Sequence, residues 1–254
     1  MDTANLRDAC VLITGASSGI GRACAEAFAK EGSRLVLAAR RHERLEDLAN
    51  ALSVPTLPVE VDVRDRSAVD AAIGGLPSDW ADVDVLVNNA GLAAGFGPLP
   101  DNEPDDWDRM IETNLTGLLN VTHAVLPRML TRGRGHIVNI GSIAGRDTYP
   151  NGAVYSATKA AVDRITTGLR MDVVGSGVKV SGIQPGLVET EFSMVRFGGD
   201  AERAGAVYAG LDPLTGADIA DTVVWVVSRP AHVQVAEVVV LAAAQASATI
   251  VHRQ

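Results

Sequence analysis

The chain has 254 residues, of which 47% are hydrophobic, and a formal net charge of −9. That length and apolar content suffice for one large α/β core, while the acidic balance argues against nucleic acid or an anionic membrane face as partner. The start, Met1 to Asp8, lacks the basic opening and long apolar run of a signal peptide, so a cytoplasmic location is expected.

In chain order, the apolar run "ACVLIT" predicts a first strand, and the glycine-rich "TGASSGIG" (Thr14 to Gly21) leads from it into a helix over Gly19 to Glu31. A strand "SRLVLAA" is followed by Arg40 and Arg41 and a helix over Arg44 to Ala51; "TLPVEVD" ends in Asp62 and precedes a helix over Arg66 to Leu76. "VDVLVNNA" is the fourth strand, and helical periodicity then runs from Pro104 to Leu130. "GHIVNIGS" ends in Ser142, a helix is predicted over Ala153 to Val174, and "VKVSGIQP" and "AEVVVLA" complete about seven strands. Strands that are apolar throughout, rather than alternating, fit a parallel sheet covered on both faces. The prediction is a Rossmann-like, doubly wound α/β fold in one domain over residues 1–254, because no linker, charge run or repeat divides the chain. Periodicity is weak over Val188 to Asp218, just past a strand end, and a substrate lid is expected at about residues 187–218.

Other features carry less. The apolar stretch Val235 to Val251 is broken by Glu237 and Gln245 and is too short for a bilayer span. Cys10 and Cys24 read as buried thiols, and the five histidines show no ligand spacing, so no metal is expected. Trp107 and Trp225 read as core or helix-packing residues, and Trp80 as cover for the fourth strand.

In the glycine-rich turn, Gly15 permits a sharp bend, Gly19 lets backbone approach a pyrophosphate and Gly21 lets helix meet strand, with Ser17, Ser18 and Ile20 between them. A second strand that ends in Ala38 and Ala39 where a ribose-binding acid would sit, followed by Arg40 and Arg41, favours NADP over NAD. Asp62, with Val63 beside it, is placed to accept the adenine amino group, or is a plain loop acid. Tyr155 and Lys159 in "YSATK" fall one helical turn apart, so phenol and ammonium can approach one ligand. An adjacent cation favours the phenolate, which makes Tyr155 an acid/base group whose pKa Lys159 lowers.

"TGASSGIG", "NNAG" (Asn88 to Gly91), Asn114 in "ETNLTG", Ser142, "YSATK" and Pro185 with Gly186, in this order, resemble the short-chain dehydrogenase/reductase family over essentially the whole chain. The resemblance implies that Ser142 hydrogen-bonds the substrate oxygen, Tyr155 exchanges its proton, Lys159 also holds the nicotinamide ribose, and Asn114 holds a water linking Lys159 to solvent. It implies that Asn89, Ala90 and Gly91 line the adenosine side, while the loop from Pro185 and Gly186 through Val188 and Thr190 reaches the nicotinamide amide. It further implies a homotetramer assembled through helices carrying Leu118, Val125, Val162, Ile165 and Leu169, although burial within the subunit would explain many of these. Similarity of "LVNNAGLA", "TEFSMVRF" and "VHRQ" to the NADP-dependent 3-hydroxy acid dehydrogenases implies a short 3-hydroxy acid or 3-oxo acid as substrate. A carboxylate needs a cation, for which Arg196 is the first choice; Arg146 either assists or pairs with Asp147. A bulkier uncharged ketone and a non-catalytic NADP redox sensor stand as the alternative readings.

Overall fold

The computed structural model of the chain describes residues 6–254. Seven strands form one parallel sheet in the order β3-β2-β1-β4-β5-β6-β7: β1 (Cys10–Thr14), β2 (Arg34–Ala39), β3 (Thr56–Glu60), β4 (Val85–Asn88), β5 (Gly135–Ile140), β6 (Val178–Pro185) and β7 (Glu237–Val240). The chain winds outward from β1 to β3, then returns to place β4 on the other side of β1. The crevice at the carboxyl ends of β1 and β4 is therefore the topological switch point where this architecture binds ligands.

Alternate strand residues face opposite layers. Val11 and Ile13 pack with Cys24 and Phe28 of α1 (Gly19–Lys30) and with Ile219 and Val223 of α9 (Gly216–Val227). Cys10 and Leu12 pack with Val69 of α3 (Arg66–Gly74) and with Val121 and Met129 of α5 (Leu118–Arg132). Both faces are dry, which is why the strands read as unbroken apolar runs. The remaining helices are α2 (His42–Ala51), α4 (Pro104–Ile111), α6 (Ala153–Asp172), α7 (Phe192–Arg196) and α8 (Ala201–Ala206).

Two sequence expectations change. The helix expected over Pro104 to Leu130 is divided by a π-helical turn, Glu112–Gly117, and α5 then runs on to Arg132, ending at Gly133 with φ +65°. The wide turn brings Gly117 against Val63, where a Cβ would fall 2.5 Å from Val63 Cγ2, and turns Asn114 inward; π-bulges of this kind concentrate at functional sites. The weakly periodic stretch is not structureless, because it carries α7 and α8, and α9 begins behind it with a capping box between Thr215 and Asp218.

Both cysteines are buried and free, and Trp80 packs on the α3/α5 face with Arg34 stacked on its ring. Trp107 is half-buried, whereas Trp225 is 47% exposed beside Arg229 and is not a core residue. Among the described residues no helix is long and apolar enough to cross a membrane, and no cluster of His, Cys, Asp and Glu could hold a metal ion.

Candidate active site

The strand ends open on a cleft of about 660 Å³ lined by the phosphate-loop glycines, Asn89, Ser142, Tyr155, Lys159 and Pro185. At one end the cleft is made by backbone. Gly15 turns the chain out of β1 with φ +65°, a conformation that disfavours any side chain. A Cβ on Gly21 would lie 2.4 Å from the Gly15 carbonyl oxygen and 2.5 Å from Asn89 Nδ2, so α1 can press this close only as glycine. Asn89 Nδ2 donates to the Thr14 carbonyl at 2.9 Å, and Thr14 Oγ1 accepts from the Asn89 and Ala90 amides, both at 3.0 Å. These bonds stitch the β1 and β4 loops into one floor under the first turn of α1, where backbone N–H groups favour an anion. Ser17, Ser18 and Ile20 line the same wall. The cradle fits the pyrophosphate of a dinucleotide.

Beside it, Arg41 donates through Nε and Nη2 to Ser17 Oγ at 3.1 and 2.9 Å and through Nη2 to Ser18 Oγ at 2.8 Å. Arg40 is exposed on the rim, where its charge reaches Asp62. Arg41 rather than Arg40 is thus the arginine fixed against the loop. Asp62 and Val63 stand on the cleft wall as expected, but the Asp62 carboxylate is gripped by Arg64 at 2.7 and 3.0 Å, and that bonding holds it below the usual carboxylate range.

Tyr155 and Lys159 project from α6 into the middle of the cleft, both buried. Lys159 Nζ donates to the Ile140 carbonyl at 3.0 Å and lies 5.9 Å from the Tyr155 ring centroid. Burial pulls its pKa down to about 8. Burial, reinforced by Tyr149, pushes the Tyr155 phenol up, against a hydrogen bond from Ser142 and the charge of Arg196. Arg196 stands as close to the Tyr155 ring as Lys159 does, 5.9 Å from its centroid, so two cations flank the phenol where the helical spacing pointed to one. Lys159 uses one of its three N–H groups on the end of β5, and Arg196 comes to the same ring from the lid side.

Asn114 makes three bonds: Nδ2 donates to the Leu92 carbonyl at 2.9 Å and to Thr158 Oγ1 at 3.0 Å, and Oδ1 accepts from the Leu92 amide at 2.8 Å. Its side chain is committed to protein partners. A Cβ on Gly91 would stand 3.2 Å from Asn114 Oδ1 and 3.5 Å from Lys159 Nζ, so the "NNAG" glycine gives these side chains their room.

The far end of the cleft is made by side chains. Arg196, at the end of α7, stacks with its guanidinium carbon 4.7 Å from the Phe96 ring centroid, 5.2 Å from Tyr149, 5.9 Å from Tyr155 and 6.0 Å from Phe197. Its Nε is buried without a hydrogen-bond partner. The guanidinium also hydrogen-bonds Tyr149, and among the described residues no carboxylate pairs with it, a setting that favours an added anion. Arg146 lies outside the cleft lining and pairs with Glu237 at the start of β7 instead of with Asp147, because the backbone after Ser142 turns it away.

Sequence comparison agrees with this geometry: the short chain dehydrogenase profile matches residues 9–199. The chain belongs to the short-chain dehydrogenase family. An NADP-dependent 3-hydroxy acid dehydrogenase of Salmonella typhi is 47% identical over 96% of this chain and 99% of its own. A sulfoacetaldehyde reductase of Chromohalobacter salexigens is 48% identical over 88% of this chain and 90% of its own. Among solved structures, the closed form of a serine dehydrogenase complexed with NADP+ superposes with a TM-score of 0.92 at 43% identity, covering 96% and 99% of the two chains.

This short-chain dehydrogenase also uses residues that pattern reading passed over. Gln184, inside the apolar strand β6, is 1% exposed; its Oε1 accepts the Ser142 amide at 2.8 Å and its side chain packs where a Cβ on Gly141 would go. A glutamine within an apolar strand was the available signal. Gln245 Oε1 accepts the Leu187 amide at 2.9 Å, anchoring the segment that follows Pro185 and Gly186. Thr190 and Val188 line the cleft from that segment, and the chain end closes over it, Arg253 Nη2 donating to the Val207 carbonyl at 3.0 Å. Phe96 and Tyr149 lie far apart in sequence and carry no motif.

Proposed function

We infer that this chain is an NADP-dependent dehydrogenase that interconverts a short 3-hydroxy acid and the matching 3-oxo acid. The observation that carries the reading is the convergence of Ser142, Tyr155 and Lys159 with Arg196 in one cleft, a proton donor set next to an anion receptor. NADP, when bound, donates or accepts the hydride.

The chain's own residues do the rest. Gln184 fixes the backbone at Ser142, whose hydroxyl, shared with Tyr155, holds the substrate oxygen. In the reducing direction Tyr155 gives that oxygen its phenolic proton, and burial keeps the phenol protonated until then. Lys159 restores the proton from the buried side, where Asn114 and Thr158 hold the polar wall and Asn114 Oδ1, bonded once, keeps an acceptor site for a water. Arg196 takes the substrate's far anion, setting how far the reacting carbon stands from Tyr155. The segment at about residues 187–218, which carries Arg196, serves as the lid.

Arg196 does not by its donors separate carboxylate from sulfonate, and one relative at 48% identity is a sulfoacetaldehyde reductase. A 3-oxo acid and a 2-oxoethyl sulfonate are therefore both candidate substrates of one anion clamp. A redox sensor would have no use for a complete proton-transfer set. We also propose a homotetramer in the cytoplasm. Of the helix positions expected to form its interface, Leu118, Val125 and Val162 are buried within the subunit; Leu119 and Leu130 of α5 and Met171 of α6 are exposed apolar side chains of this helix pair.

The test is NADPH and NADH consumption with malonic semialdehyde, sulfoacetaldehyde and a panel of uncharged ketones and aldehydes. NADPH-dependent turnover of the anionic aldehydes is expected. Turnover confined to uncharged carbonyls would overturn the substrate assignment and leave a ketone reductase.

A further inference from the structure

The lid segment meets the nucleotide half of the cleft at one place. Thr190 lies over the phosphate loop, where a Cβ on Gly19 would come within 3.2 Å of Thr190 Cβ. The next residue, Glu191, stands at the start of α7 and reaches across the groove to the start of α2. Its carboxylate accepts from Arg44 Nη1 at 2.8 and 2.9 Å and from Arg41 Nη1 at 3.0 Å. Partial burial works against the charge of Glu191, but the bonds from the two arginines hold its pKa below the ordinary value.

The division of labour within Arg41 decides what this contact does. Nη1 is held by Glu191, while the opposite edge, Nε with Nη2, is turned onto Ser17 and Ser18. That edge is the fork with which arginine grips a phosphate through two parallel bonds. Arg41 and Arg44 together outweigh the Glu191 carboxylate they share, so the corner still favours an added anion.

We propose that Glu191 is a positioning residue for cofactor selection: it turns the Nε–Nη2 edge of Arg41 toward the 2′-phosphate of the dinucleotide and ties that recognition to the segment carrying Arg196. The inference rests on the NADP reading above and adds that the lid itself takes part in choosing the cofactor. Each ion pair is about half exposed and weak alone, but two guanidiniums share one carboxylate, so its loss frees both together.

The experiment is a fluorescence titration of wild type and Glu191→Gln with NADPH and with NADH, joined to stopped-flow measurement of NADPH release. Glutamine keeps the shape and removes the charge. NADPH binding is expected to weaken about fivefold and NADH binding by less than about twofold, with NADPH release faster by a similar factor as for NADPH binding. Arg44→Gln should shift NADPH in the same direction by less. Unchanged NADPH affinity in Glu191→Gln would overturn the proposal, and equal weakening of both nucleotides would show that Glu191 merely covers the groove. A wild-type protein with no preference for NADPH would refute the cofactor reading instead, and this inference with it.

Discussion

The two ends of the cleft are built by different means. At the phosphate end the binding surface is backbone: a positive-φ turn at Gly15, the bare approach of Gly21 and the first turn of α1, pinned by Thr14 and Asn89. At the substrate end it is side chain: Arg196 from the lid, Phe96 from the loop after β4 and Tyr149 from the loop after β5, meeting only in space. A backbone site tolerates no change of residue at its glycines but serves any ligand with the right phosphates. A side-chain site can be re-aimed by single substitutions, which is how one scaffold supports several substrates.

The comparison can be broken first at the point where the two ends meet. Tyr155→Phe removes the proton donor and should lower turnover by about 10²–10⁴-fold while NADPH titration stays as in wild type; near-normal turnover would remove Tyr155 from its acid/base role. Next comes the substrate end. Arg196→Met should reduce kcat/KM for the anionic aldehyde by about 10–100-fold, the loss expected of a charge-assisted hydrogen bond, and leave any uncharged aldehyde little affected. A parallel loss on both substrates would make Arg196 a packing residue for Tyr155 rather than an anion clamp.

At the phosphate end, Gly21→Ala places a methyl 2.4 Å from the Gly15 carbonyl. It should cost about 1–3 kcal/mol of stability by overpacking, seen as a lower Tm, and weaken NADPH and NADH alike because neither end of the nucleotide is singled out. The smallest effect concerns Lys159. Its folded pKa of about 8 lies below the ordinary 10.5, so the unfolded chain binds the extra proton between those values and stability rises with pH there. The burden of burying the ammonium is therefore full below pH 8 and gone above pH 10.5. Without nucleotide, Lys159→Met should melt higher than wild type at pH 7 by about 2–4 °C, and the gap should close as pH rises through that window; a gap independent of pH would mean that Lys159 is not charged in the folded cleft.

Much of this molecule is legible before folding, for reasons that follow from the same contrast. The strands announce themselves because both faces of a parallel sheet are dry, and the phosphate loop because only glycine satisfies its φ and its contacts. Tyr155 and Lys159 are legible as a pair because four residues make one helical turn, but their spacing could not say that Lys159 also bonds the Ile140 carbonyl or that Arg196 brings a second cation to the phenol ring. Helical periodicity runs through residues 112–117 without a mark, since a π turn changes the winding and not the residue types.

The sequence by itself determined the doubly wound sheet, the glycine-rich turn and the placing of Tyr155 and Lys159 on one helix face, since each depends on local periodicity or on a residue type with one conformational use. Only the tertiary structure decided which arginine faces the phosphate loop, which is stacked among aromatic rings in the cleft and which is turned away. Phe96 and Tyr149 come from two loops and Arg196 from α7, and Arg41 and Glu191 stand 150 positions apart; contacts at that separation are set by how the layers pack, not by any pattern along the chain.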